Sequence, residues 1–276
     1  MSGLVVAGVD GSASSLAAVE AAAREARWRG AGLRLVHAFI WPAMHIPLGR
    51  SFPGPPESGL RNMVERLMAE AHERARTVAP EVDVSRAVVT GEPFTVLEAQ
   101  SRAAELVVVG TRGMGGFVGL MVGSTAVHLA AHGRCPVLVA REQGEEAGPI
   151  VVGVDGSSAG AGAVDFAFAE AALRGVGIVA LHAWTTWNAP MPAPQDEAMP
   201  YANEPGALAA GEERLLSEAL AGRQDTYPGV NVKREVVHAG TREALIVNPL
   251  AAWRRSMRPV PRRGWPGTRV HSRSGF

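Results

Sequence analysis

The sequence predicts an α/β fold, a doubly wound parallel sheet built twice in tandem, and three observations carry that expectation. Short runs rich in β-branched residues alternate with longer Ala- and Glu-rich stretches, as when each strand is followed by a crossover helix. Runs such as Leu106 to Gly110 (LVVVG) are apolar throughout rather than alternating, which fits strands covered on both faces. Finally, Val151 to Ser157 (VVGVDGS) repeats Val6 to Ser12 at an offset of 145 residues, and Leu181-His182-Ala183 repeats Val36-His37-Ala38 at the same offset. A constant offset marks a duplicated unit rather than a shared composition.

The composition agrees. At 276 residues the chain is long enough for two domains, and 47% apolar residues can fill two cores. The formal charge is zero, which argues against a general attraction to nucleic acid or to an acidic membrane. A single cysteine, Cys135, excludes an internal disulfide framework and suits a reducing cytoplasm. The N-terminus carries no leader pattern, and no apolar run is long enough to span a bilayer, so a cytoplasmic protein is expected. Lys233 is the only lysine, so a lysine-dependent phosphate loop of the Walker type cannot be assembled.

In order, Val5 to Asp10 reads as a strand ending in Asp-Gly-Ser, which is helix-capping chemistry. Ser12 or Ser14 opens a helix from about Ser15 to Arg29, closed by Gly30. Leu33 to Phe39 is a second strand, and the Pro- and Gly-rich stretch from Trp41 to Gly59 is a loop. Leu60 to Val78 is an amphipathic helix with Leu60, Val64, Leu67, Ala71 and Ala75 near one face. A strand at Val82 to Thr90, a helix at Phe94 to Ala104 and a strand from Leu106 follow. A helix from Ser124 to Ala131 and a strand at Pro136 to Ala140 complete the first domain, residues 1–141.

Residues 142–149 (EQGEEAGP) form a polar linker, and the second domain, 150–246, restarts the pattern. It has a second Pro-rich loop at Asn188 to Gly206, a helix at Ala207 to Leu220 and a strand at Val230 to His238. The repeat then fails. Residues 247–276 are rich in Arg and Pro, and no carboxylate follows Glu243. Two explanations stand side by side: a nucleic-acid- or partner-binding tail, or translation in a shifted frame after about Ile246 or an unusual truncated allele. The second domain is therefore expected to be truncated, with exposed sheet edges and no nucleotide site of its own.

The stretch after Leu106 carries the functional expectation. Gly110, Gly113 and Gly123-Ser124-Thr125 lie between two apolar strands, in the order strand, glycine-rich loop, helix start, strand. Glycines let the backbone approach a ligand closely, and free N–H groups at a helix N-terminus favour an anion such as phosphate. The spacing Gly110-x2-Gly113-x9-Gly123-Ser124, preceded by VVVG and followed by CPVLV, resembles the universal stress protein family. The opening VVAGVDGS at Val5 to Ser12 is similar to that family too, and the likeness covers Leu4 to Arg141 fully and Ile150 to about Leu245 in part.

That resemblance implies two tandem Rossmann-like domains of the adenine nucleotide alpha hydrolase-like kind, with ATP, with or without Mg2+, at the carboxyl ends of the strands. By similarity, Gly8 and Asp10 lie under the ribose, and the main chain of Ala38 lies by the adenine. Gly110, Thr111, Arg112, Gly113, Met114, Gly115 and Gly116 wrap the ribose and phosphates. Gly123, Ser124 and Thr125 hold the outer phosphates. One departure is Leu120, where many relatives have a basic residue; Arg112 is the candidate substitute. Relatives also pair domains through the fifth strand, which implies a homodimer or an inter-domain pairing here.

Plainer explanations compete. Asp10 can simply cap the following helix, and the glycine stretch can be an empty connection. His128 and His132 have zinc-ligand spacing but lack a third ligand, so helix surface is the alternative. His37 and His182 read as satisfied core residues and Cys135 as a small buried hydrophobe. Ser12, Ser14 and Ser15 lack a partnered base, so no serine nucleophile, and no catalytic residue at all, is expected. Three functions remain: an ATP-binding stress-response switch or scaffold with little or no hydrolysis, a slow ATPase or nucleotide-transferring enzyme, or a nucleotide-free interaction module. A flavin-type site is disfavoured because the turn after the first strand is only Asp-Gly-Ser.

Overall fold

The computed structural model describes residues 3–39, 56–111, 123–141, 148–185 and 207–245. The tail 247–276, most of the first Pro-rich loop, all of the second, most of the linker and the middle of the glycine stretch lie outside the described residues. The chain divides into two units, Met1–Glu146 and Ala147–Phe276.

In the first unit, β1 (Leu4–Gly8) leads to α1 (Ala13–Arg29), β2 (Gly32–Phe39), α2 (Pro56–Val78) and β3 (Val84–Thr90). Then come α3 (Pro93–Ser101), β4 (Leu106–Gly110), α4 (Ser124–His132) and β5 (Val137–Ala140). All five strands are parallel, in the order β3-β2-β1-β4-β5. The chain winds outward through β2 and β3, then returns to lay β4 and β5 on the other side of β1. The winding thus reverses between β1 and β4, which is where open sheets of this kind form a crevice.

The two-residue period of the strands sorts the core into two layers. Val5, Ala7, Leu33, Leu35, Leu106 and Val108 face α1 and α2. Val6, Val36, Val107 and Val109 face α3 and α4, meeting Val96, Leu97, Ala126 and Leu129. On α2 the buried residues are Val64, Met68, Ala71 and Ala75, so Met68 joins the expected face while its Leu60 and Leu67 are only half-buried. That helix begins at Pro56, four positions before the expected Leu60.

Helix α1 opens at Ala13 rather than Ser15, because Ser12 is its N-cap and accepts a hydrogen bond from the Ser15 amide. It ends at Gly30, whose φ of 60° is left-handed. Ala18, Ala22, Ala23 and Ala26 have no exposed surface, and these small side chains let α1 lie low over the sheet. The approach is tightest at Gly110, where a Cβ would sit 2.7 Å from the carbonyl carbon of Ser14. Only glycine fits there.

On the opposite face α3 and α4 are tied by His128 Nε2, 2.8 Å from Glu98 Oε2. The rings of His128 and His132 stack with centroids 4.4 Å apart. The hydrogen bond from His128 holds the Glu98 carboxyl below its usual range. Cys135 packs beside this layer but is only half-buried, because it precedes the edge strand β5; burial still pushes its thiol pKa up.

The second unit holds β6 (Ile150–Gly153), α5 (Ser158–Arg174), β7 (Ile178–Trp184), α6 (Ala207–Ala219), α7 (Arg223–Thr226) and β8 (Val232–His238). Its three described strands are parallel in the order β6-β7-β8. The single turn α7 is too short to leave a periodic signature in the sequence. Phe168, with Ile178, Ala180 and Leu216, centres the core on the α5 and α6 face. On the other face Val179 and Leu181 are buried. A helical turn at 241–245 brings Leu245 over Gly153, the register partner of Leu181.

The repeated histidines are satisfied in both units. His37 Nδ1 lies 2.7 Å from the Val9 carbonyl, and His182 Nδ1 lies 2.6 Å from that of Val154. Among the described residues, the second unit adds a buried carboxylate: His182 Nε2 is 2.6 Å from Glu212 Oε2.

Two outcomes are expected. Gly110→Ala should destabilise the first unit by about 1–3 kcal/mol, read as a lower urea midpoint, because the displaced partner is helix backbone. By contrast Gly162→Ala, in α5 with nothing within 4 Å, should not lower it. In a carboxyl NMR titration, Glu98 should ionise below the ordinary glutamate value and return toward it in His128→Ala. Since its folded pKa is depressed, its contribution to stability is present above the unfolded pKa and is lost as pH falls through the folded one.

Candidate functional site

The strand registers bring the ends of β1, β2 and β4 to one level. Ala7 is opposite both Leu35 and Val108, so Asp10, Ala38 and Thr111 each lie three residues beyond that level. Three positions singled out from the sequence thus meet along the carboxyl edge of the sheet, on either side of the switch point. Arg112, Gly113, Met114, Gly115 and Gly116 lie outside the described residues.

The turn from β1 to α1 is internally satisfied. Asp10 Oδ1 accepts hydrogen bonds from the Ser12 amide at 3.0 Å and the Ser12 hydroxyl at 2.7 Å. Ser15 Oγ accepts from the Asp10 and Gly11 amides at 3.3 and 3.2 Å and donates to the Ser12 carbonyl. Gly11 has a φ of 86°, a backbone conformation that side chains rarely adopt, so this turn requires glycine. With these amides engaged, the turn has little to offer a phosphate.

The second unit keeps the aspartate–serine part of this turn, with Gly160 in the place of Ser15. Asp155 Oδ1 accepts from the amide and hydroxyl of Ser157 at 2.9 and 2.8 Å, and Gly156 has a φ of 74°. The amide of Ser157, and then its hydroxyl, hold the Asp155 carboxyl below the usual range. The aspartate therefore organises a helix start in both units, whatever else it does in the first.

The start of α4 is built differently. Its N-cap is Gly123, extended at φ −68° and ψ 154°, with no side-chain cap on the first turn among the described residues. Such a turn leaves main-chain donors without a side-chain acceptor, and the helix dipole adds positive potential there. Ser124 is exposed and Thr125 half-buried at this end. The Gly123 amide itself donates to the Thr111 carbonyl at 2.6 Å, joining the two ends of the glycine stretch. Donation from Gly123 to a phosphate would have to replace that bond.

Gly8 and Ala38 contribute through main chain. A Cβ at Gly8 would lie 2.9 Å from Leu97 Cδ1 and 3.3 Å from Val109 Cγ1, so packing of the second layer accounts for the glycine. The Ala38 side chain packs into the same layer, and the residue pairs with Val89 on β3. One residue at the site was not signalled by the motif: Ser14, 5% exposed, whose hydroxyl is 3.1 Å from that of Thr111. Among the described residues no group of three His, Cys, Asp or Glu side chains is placed to hold a metal ion, and no helix is long and apolar enough to cross a membrane.

Comparison with known proteins bears on this geometry. The universal stress protein family profile matches residues 1–141 and again 147–253. The universal stress protein Rv1996 of Mycobacterium tuberculosis is 39% identical over 254 residues, spanning 84% of this chain and 78% of its own. A universal stress protein structure from Archaeoglobus fulgidus aligns with a TM-score of 0.64 at 13% identity, over 90% of this chain and 83% of that one, which speaks to the fold. A universal stress protein solved in complex with cAMP aligns at a TM-score of 0.40 and 26% identity, over 51% of this chain and 98% of that one. With two successive matches covering most of its length, the chain belongs to the universal stress protein family.

Proposed function

We propose that the first unit binds an adenine nucleotide, ATP in the first instance, and works as a nucleotide-dependent stress-response switch or scaffold with little or no hydrolysis. The observation that carries this reading is the N-terminus of α4, which no described side chain caps, set across the switch point from Asp10. A triphosphate would lie on the first-turn amides and hydroxyls of Ser124 and Thr125, with the 110–116 stretch around it. The Asp10 carboxylate would accept the ribose hydroxyls, and the Ala38 main chain would lie by the adenine. Where Mg2+ accompanies the nucleotide, its ligands would come chiefly from phosphate and water.

The contrast between units supports this division of roles. The second unit has the Asp-Gly-Ser turn without a Gly110-x2-Gly113-x9-Gly123-Ser124 counterpart in its sequence, so it should form no site of its own. Self-association through the outer edge of β5, where Val137, Leu138 and Val139 are half-buried, is part of the same proposal.

Titration calorimetry with ATP tests it. Wild type should bind one equivalent. Asp10→Ala should weaken binding by about 10-fold or more, as expected on losing hydrogen bonds to a charged group. Asp155→Ala removes the same turn contacts in the other unit and should leave affinity unchanged. No heat with any adenine nucleotide would overturn the proposal, and sustained magnesium-dependent phosphate release over many turnovers would replace the switch by an enzyme.

A further inference from the structure

The hydroxyl of Ser14 makes a contact far along the chain. It lies in the first turn of α1, nearly fully buried, and reaches Thr111 Oγ1 at 3.1 Å. Thr111 is the residue whose carbonyl holds the Gly123 amide at 2.6 Å. A continuous chain of contacts therefore runs from α1, through the residue after β4, to the N-cap of α4. Gly110 makes that chain possible, because any side chain at that position would collide with Ser14.

The second unit supplies an internal comparison. At the offset of 145 residues, Gly8, Asp10, Gly11 and Ser12 reappear as Gly153, Asp155, Gly156 and Ser157. The aspartate–serine bonds and the serine N-cap are kept, whereas Ser15, whose hydroxyl takes the Asp10 and Gly11 amides, corresponds to Gly160. Ser14, however, corresponds to Ala159. The unit whose sequence has no glycine stretch keeps the Asp-Gly-Ser turn and the serine N-cap, and lacks both the Ser15 hydroxyl and that of Ser14, the one of the two that reaches toward the stretch. Were Ser14 needed to start α1, α5 would be expected to keep it, yet α5 forms as a 17-residue helix without it.

We propose that Ser14 is a positioning residue for the phosphate half of the site, and so sets how far the first unit prefers a nucleotide to its nucleoside. This rests on the nucleotide-binding reading given above. By holding Thr111, the Ser14 hydroxyl orients the carbonyl that pins Gly123, and with it the direction in which the first-turn amides of α4 point. Preorganised donors bind a phosphate more tightly than donors that must first be ordered. Adenosine, which has no phosphate, gains nothing from that order.

The test compares ATP and adenosine by calorimetry on the full chain for wild type, Ser14→Ala, Thr111→Val and the double variant, with circular dichroism and thermal melts as fold controls. Ser14→Cys keeps a weak donor of similar size and serves as the conservative variant. Ser14→Ala should lower ATP affinity about 3- to 10-fold, corresponding to one hydrogen bond. Adenosine affinity should be unchanged, the double variant should bind ATP no worse than either single one, and Ser14→Cys should recover part of the loss. Equal losses for ATP and adenosine, or additive losses in the double variant, would make Ser14 merely structural and overturn the inference. Undiminished ATP binding in Ser14→Ala, with wild type binding normally, would also overturn it while leaving the nucleotide reading intact. Absence of binding by wild type would remove both.

Discussion

The close approach of α1 to the end of β4 is the constraint on which the first unit depends. A helix normally stands off a sheet by the depth of its side chains, but here alanines line the contact and Gly110 contributes no side chain at all. This contact joins the first crossover to the second half of the sheet, because α1 follows β1 while β4 is laid down only after the chain has wound out to β3 and returned. The carboxyl ends of β1 and β4 are thereby held at one level, and the crevice between them is a product of the same packing that closes the core.

The two units separate what the fold needs from what a ligand would need. Both use aspartate to hold the amide and hydroxyl of a serine two positions on, and both place a left-handed glycine between them. That turn is a folding device, and its presence twice explains why the opening motif repeats so faithfully. Only the first unit adds strands beyond β1 on the far side of the switch point among the described residues. The apolar rows on β6 and β7 that would meet such strands and their helices are instead partly covered by the turn at 241–245.

Most of the fold was legible because the strands are apolar without interruption and the helix ends carry strong local chemistry, such as Ser12 and Gly30 around α1. The start of α2 was missed because a proline at the first helical position looks like loop composition, although Pro56 suits a helix start well. The aspartate was legible in position but ambiguous in role: a capping residue and a ligand residue leave the same letter, and only the geometry shows the Ser12 contacts. Ser14 was not legible from the motif. Its partner Thr111 lies 97 residues away in sequence, and only the internal repeat, with Ala159 at the matching place, carries a trace of it.

The His182–Glu212 contact has a consequence for how the second unit keeps a single arrangement. With a three-stranded described sheet, apolar packing alone would let α6 slide along β7 at modest cost, since one aliphatic neighbour can replace another. A one-turn slip would instead strand a carboxylate in a hydrocarbon setting, which is several-fold more costly than losing a methylene contact. The polar pair therefore acts as a detent: it adds little to how tightly the layers adhere and much to which alignment they adopt.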